Sequence, residues 1–375
     1  MIVPSPNPIL GVTVHTFGGI SASTCYVPFQ KVKQWSWETY WLVFSLFAWL
    51  ITPFIVGFIT VPDLLAVLSE EPSHIKWTAF LLGAAYGFGG MSFGFAIKHI
   101  GYSLTYTIAI GISAVLGTIV PLMLNGTLIE QFQKPGGMIL MAGMVIAIIG
   151  VTGCGWAGYK KENDLNKDSS SATGPSFKMS KGLPLVIFAG LLSAVFGISL
   201  EVGQPIADIA ASHGAGHYEG NAKLILSTSG CVVTKLIWFV ILGIRRGTLR
   251  ELTFNNGLPR RKTLMNYLLA IGSGCLWYMQ FFFYGLGHVR MGIFQFASWV
   301  IHMSMLIFFS MLVGVILKEW RKVTNKTYII LIIALVVLVS SFIIMTWGSV
   351  KGEEAKKVEA LIEFVSFEYQ RLSHA

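Results

Sequence analysis

Glu201 lies in an apolar run with Ser193, Gly197, Gln204 and Asp208, at successive intervals of 4, 4, 3 and 4 residues. That spacing puts all five on one helix face. A carboxyl group in low-dielectric surroundings can take up and release a proton near neutral pH, so Glu201 is the first candidate for carrying one. Pro205 follows it and would break or kink the helix, as in the interrupted helices that build transport sites. Lys235 sits in another apolar run, ten residues before Arg245. That is about 15 Å of helix, too far for an ammonium to snorkel easily to the interface. Glu201 and Lys235 form a candidate pair, either a fixed brace or a charge relay, and the spacing leaves both open.

Trp277, Phe281, Tyr284 and His288 share one face of a third run, with Gln280 adjacent. A sugar ring has apolar C–H faces and polar edges, so an aromatic wall carrying amide and imidazole groups suits it. Gln295, Ser298, Trp299 and His302 fall at i, i+3, i+4 and i+7 and make a second polar-aromatic face. His302 and His15 titrate near neutral pH and are either proton acceptors or buried hydrogen bonders. The proton-coupling candidates are therefore Glu201, His302 and Lys235. The substrate-binding candidates are His15, Gln204, Trp277, Gln280, Tyr284, His288, Gln295 and Trp299. There is no Walker loop, no Gly-x-Ser-x-Gly and no His-Glu-x-x-His, and the histidines lack metal-ligand spacing. The expectation is a carrier driven by a gradient, with no metal, no cofactor and no enzymatic step. A membrane sensor is the less favoured class, because no loop is long enough for a signalling domain.

These residues must be positioned by helices in lipid. Of the chain's 375 residues 54% are hydrophobic and 12% charged, against roughly 25% charged in an ordinary soluble domain. Ten apolar runs reach the roughly 20 residues that a spanning helix needs: 9–29, 38–60, 77–97, 104–124, 136–157, 183–204, 223–244, 265–287, 293–317 and 327–348. The net charge of +9 could suggest a nucleic-acid partner, but its distribution argues against one. Loops after the odd-numbered runs hold 18 Lys and Arg, and those after the even-numbered runs hold Lys76, Lys134, Lys223 and Arg290. The positive-inside rule then puts the odd loops in the cytoplasm and both termini outside.

The longest polar stretch, 159–182, is rich in Ser, Gly and Lys and reads as a cytoplasmic linker. It separates residues 1–158 from residues 183–348, five runs each. An odd number of spans per half makes the halves enter the membrane in opposite senses, which is what inverted repeats require. The expected fold class is an all-α polytopic membrane protein of ten transmembrane helices in two inverted five-helix repeats. Cys25, Cys154, Cys231 and Cys275 lie in apolar runs and read as small buried residues. The N-terminus does not read as a cleavable signal peptide. Residues 349–375 carry Val358, Leu361, Ile362, Val365, Tyr369 and Leu372 at helical spacing, so they read as an amphipathic helix on the outer surface or a disordered tail.

Several strings resemble the L-rhamnose–proton symporters. They include Phe29-Gln-Lys-Val-Lys-Gln-Trp-Ser-Trp-Glu-Thr39, Trp277-Tyr-Met-Gln-Phe-Phe-Phe-Tyr284 with Gly287-His288 and Arg290, and Ser298-Trp299 with His302-Met303-Ser304. Leu317-Lys-Glu-Trp320 and Ile108-Ala-Ile-Gly-Ile112 also fit. The resemblance runs from about His15 to Gly348. It implies a drug/metabolite-transporter fold that imports L-rhamnose with protons across a bacterial inner membrane. His15, Gln280, Tyr284, His288, Trp299 and His302 lie in the matching segments. The chain departs from the family pattern at Glu201 and Lys235, where the family is non-acidic and uncharged, and in its C-terminal extension. Another sugar or small metabolite on the same scaffold is the alternative.

Overall fold

The computed structural model describes residues 6–168, 178–254 and 257–373. The first half contains α1 (Pro8–Thr24), α2 (Trp37–Leu46), a π-turn (Phe47–Ile51), α3 (Thr52–Thr60), α4 (Leu64–Glu70), α5 (Ser73–Ile100), α6 (Tyr102–Leu124), α7 (Leu128–Gln133) and α8 (Gly137–Asp168). The second half contains α9 (Met179–Val202), α10 (Gln204–Ser212), α11 (Gly220–Arg246), α12 (Arg260–His288), α13 (Ala297–Ile316) and α14 (Asn325–Ser373). No strand occurs among the described residues.

Local chemistry explains the breaks. Asn7 caps α1 by accepting from the Leu10 amide at 3.0 Å, with Pro8 in the first turn. Pro53 has no N–H, and its ring would crowd the Trp49 carbonyl of a regular helix; the chain widens there into the π-turn. The helix break expected near Pro205 falls at Gly203, so Glu201 lies in the last turn of α9 while Gln204 begins α10.

Among the described residues, eight helical stretches are long and apolar enough to cross a membrane: α2–α3, α5, α6, α8, α9–α10, α11, α13 and α14. The chain is thus a multi-pass, all-helical protein. Of the two remaining expected runs, α1 is only 17 residues long. The other, α12, is 29 residues, but Asn266, Ser273 and Gln280 and a basic first turn dilute its hydropathy. Large apolar side chains stand exposed along the outer faces of these helices, among them Ile59 of α3, Ile237 of α11 and Val336 of α14. Exposure on that scale suits acyl chains rather than water.

With lipid outside, helices gain little from hydrophobic force and associate by close backbone approach. At the crossing of α5 and α11 this is reciprocal. A Cβ on Gly83 would stand 2.0 Å from the Ser227 carbonyl oxygen, and one on Gly230 would stand 1.9 Å from that of Phe80. At the basic ends, Glu38 is buried and meets Arg246 at 3.4 Å and the Thr248 hydroxyl at 3.3 Å. Lys161 pairs with Glu319 at 2.9 Å.

Part of the expected linker is helical, since α8 continues to Asp168 and α9 begins at Met179; the serine-rich stretch 169–177 lies outside the described residues. The described part of the C-terminal extension continues α14 without a break to Ser373, and its Lys and Glu residues are good helix formers. Packing persists beyond the expected end at 348: Glu353 is buried and accepts from the Ile293 amide at 2.7 Å. Ending the chain after Glu354 should therefore leave its thermal midpoint nearly unchanged. Ending it after Gly348 removes a buried charge-assisted hydrogen bond worth about 1.5–3 kcal/mol and should lower the midpoint measurably in a detergent melting experiment.

Candidate functional site

An internal cavity lies between α2–α3, α5, α6, α9, α11, α12 and α13. Its free volume is about 60 Å³ in this conformation, within about 680 Å³ of space between atoms that includes the open end. Gln280, Trp277, Trp299, Trp49, Ser193 and Lys235 contribute to its wall. The arrangement combines flat aromatic faces with a few polar groups.

The π-turn delivers Trp49 to this wall. Its indole lies over Trp277, ring centroids 3.6 Å apart and planes inclined at 33°. The Lys235 ammonium sits over Trp49 at 4.1 Å from the ring centroid, with Trp41 at 5.6 Å and Tyr86 at 5.9 Å. Lys235 is 2% exposed, and no carboxylate lies within 4.0 Å of its nitrogen among the described residues. The candidate pair of Glu201 with Lys235 is therefore not formed.

The opposite wall is set by Trp299, whose indole N–H donates to the Ser113 carbonyl at 2.9 Å. Two glycines make room for it. A Cβ on Gly117 of α6 would stand 2.3 Å from the indole nitrogen, and one on Gly197 of α9 would stand 2.8 Å from the ring. The Gly197 face expected from sequence is thus a seat for Trp299, while Ser193, one turn away, lines the cavity.

Beside the cavity runs a row of buried rings. His15 lies 5.7 Å from both Tyr284 and His302, and Tyr284 lies 5.4 Å from His302, 5.6 Å from Trp299 and 5.6 Å from His288, centroid to centroid. The face of Trp277, Phe281, Tyr284 and His288 is realised, its successive rings 5.0, 6.4 and 5.6 Å apart. Neither ring nitrogen of His15 or of His302 has a hydrogen-bond partner among the described residues. Leaving such a buried group unmet costs about 1–3 kcal/mol, so each imidazole keeps hydrogen-bonding capacity unused in this conformation. Gly287 and Gly18 admit the two imidazoles, each lying within 2.8 Å of where a Cβ would be.

Past Tyr284 and His288 the row meets a small second pocket lined also by Glu219 and Lys223. Lys223, counted above among loop cations, is instead buried in the first turn of α11. Its ammonium donates to the Gln204 side-chain carbonyl at 2.5 Å, and the Gln204 amide donates to Asp208 at 2.9 Å. Glu201, Glu219 and Asp208 supply the negative field around it, and Glu201 also acts on Tyr284. Glu201 and Gln204 thus belong to this charged cluster and not to the cavity wall. Gln295 is half-buried in the turn before α13, where its carbonyl accepts from the Ser298 amide at 3.0 Å, and it does not reach the cavity.

Sequence reasoning missed Trp41, Trp49 and Tyr86, the ring cluster around Lys235. Pro53 was the available signal, since it forces the turn that aims Trp49 inward. It also missed a larger vestibule lined by Gln30, Trp37, Tyr40 and Glu319 among others. Tyr26, Trp41 and Phe93 line both this vestibule and the central cavity.

A family model for L-rhamnose-proton symport protein (RhaT) matches residues 5–350. The chain belongs to this family. It is 31% identical over 335 residues to an L-rhamnose-proton symporter of Yersinia pestis, covering 88% of this chain and 95% of that protein. It is also 31% identical over 339 residues to one of Pectobacterium atrosepticum, covering 89% and 96%. The matched region takes in the whole cavity and the ring row, and it stops short of most of the C-terminal extension.

The seat of Trp299 can be tested directly. Gly117→Ala should push the indole off the Ser113 carbonyl and cost about 1–3 kcal/mol, seen as a lowered melting temperature and altered tryptophan fluorescence. Gly272→Ala on α12, where a Cβ meets nothing within 4 Å, should leave both unchanged or stabilise slightly.

Proposed function

We propose that this protein imports L-rhamnose together with protons by alternating access across a bacterial inner membrane, with both termini outside. The observation that carries the reading is the aromatic and polar cavity in a chain of the rhamnose–proton symport family. Trp277 and Trp299 offer faces to the sugar ring, and Gln280 offers its amide to a hydroxyl. Tyr284, His15 and His288 extend this wall as further candidates, while Gln204 and Gln295 act from outside it.

The scaffold proposed is ten spans in two inverted five-helix repeats. The packing supports it, because helix contacts recur when each helix of one half is exchanged for its counterpart five spans along. The contact of α5 with α9 matches that of α1 with α12, α6 with α9 matches α13 with α1, and α5 with α11 matches α12 with α2. The pair α8 with α14 exchanges into itself. Exchanging the states of two such halves around a fixed site is the basis of alternating access.

Glu201 is the first choice for the proton site. It lies eight residues beyond the cavity-lining Ser193, about 12 Å along α9 toward the side proposed as outer. A proton arriving there would meet Tyr284, His288, His15 and then His302, the second choice, beside the sugar. Lys235 is the third titratable group, within the cavity itself. The vestibule shares Tyr26, Trp41 and Phe93 with the cavity and opens toward the basic loops, as an inward-leaning state requires. Transport of another sugar or small metabolite through the same cavity is the alternative reading.

Labelled L-rhamnose uptake into proteoliposomes tests this, with and without an acid-outside gradient. Accumulation should appear only with the gradient, and Glu201→Gln should abolish it while sparing exchange of sugar between the two sides. If the variant still concentrates rhamnose, Glu201 is not the coupling group. Gln280→Ala removes a hydrogen bond worth about 1–1.5 kcal/mol and should raise the half-saturating sugar concentration roughly tenfold; an unchanged value would remove Gln280 from the sugar site.

A further inference from the structure

The feature that a neutral deoxysugar leaves unexplained is Lys235. Its side chain is 2% exposed, yet its nitrogen faces the central cavity and not a carboxylate. Among the described residues no Asp or Glu lines that cavity. Moving an ammonium from water into such surroundings costs several kcal/mol even after relaxation. The Trp49 face below it returns about 2 kcal/mol, and Trp41 and Tyr86 stand farther off. Gly90 keeps the position open, since a Cβ there would lie 2.8 Å from the ammonium. The charge is therefore only partly compensated until an anion enters.

A carboxylate would complete the compensation, because it accepts from an ammonium through a short charge-assisted bond. The remaining wall specifies what should carry that carboxylate. Trp277 and Trp299 line it with aromatic surface, which packs on the C–H side of a pyranose ring, and Gln280 and Ser193 line it as polar residues, which suit its hydroxyls. We propose that the central cavity accepts a hexuronate, a pyranose bearing a ring carboxylate, with that carboxylate held by Lys235. The inference rests on the same cavity being the sugar site, and it adds an acidic sugar to the substrate class read above.

The test compares binding of D-galacturonate and D-glucuronate with that of D-galactose, D-glucose and L-rhamnose, by calorimetry on the purified full-length protein in detergent. At least one uronate should bind ten times or more tightly than its neutral parent hexose. Lys235→Met should collapse that ratio to near one, and Lys235→Arg, which keeps the charge, should restore part of it. Size-exclusion behaviour and melting temperature establish that each variant is folded, and the wild-type ratio is decisive without any variant. Rhamnose binding with no uronate preference overturns the inference and leaves the rhamnose reading intact. Uronate binding dependent on Lys235, with no rhamnose binding, upholds the inference and overturns the rhamnose reading. Binding of neither class overturns both.

Discussion

The absence of water around the helices governs everything else in this molecule. Backbone groups are met inside each helix, so a polar side chain in the interior needs a reason of its own. Most find a local answer: Ser199 bonds the Ala79 carbonyl at 2.8 Å, and Thr234 bonds that of Ala84 at 2.9 Å. Others stay incompletely answered in several parts of the molecule, and some of these gather at the cavity: Lys235 over its aromatic rings, and beside the wall the imidazoles of His15 and His302.

The same constraint shapes the packing. Without hydrophobic force between helices, close approach is reached with glycine, as where α5 and α11 meet at Gly83 and Gly230. Glycine also makes the site, since the bulk of Trp299 fits only between Gly117 and Gly197, and the His15 ring only against Gly287. Helix packing and site construction therefore use one device, small residues opposite large rings. A shift of one helix past another would alter the cavity wall directly, which is how rocking of the two halves would be felt by bound sugar.

Much of this was legible in the sequence for definite physical reasons. Spans stand out because apolar runs have no other use, and the i, i+4 spacing of Trp277, Phe281 and Tyr284 places them on one face in any helix. Pro205 announced an interruption because it has no N–H to donate, and the break appears two residues earlier at Gly203. What failed depended on how helices cross. Glu201 and Lys235 looked like partners because each was a lone charge, yet Glu201 belongs with Lys223 at one end of α11. Lys235 lies 12 residues further along that helix, about 18 Å away. Lys223 itself looked like a loop residue because it sits at the edge of an apolar run. Trp49 escaped notice because its direction comes from a π-turn, which helical periodicity does not describe.

The central claim is that sugar and proton cross together through this one cavity, and transport current tests it most directly. Proteoliposomes adsorbed to a conducting support would be exposed to a step of L-rhamnose with equal pH on both sides. Coupled movement predicts a transient inward positive current that saturates with sugar concentration and is lost in Glu201→Gln. Rhamnose uptake unaccompanied by current in the folded wild-type protein would contradict the account.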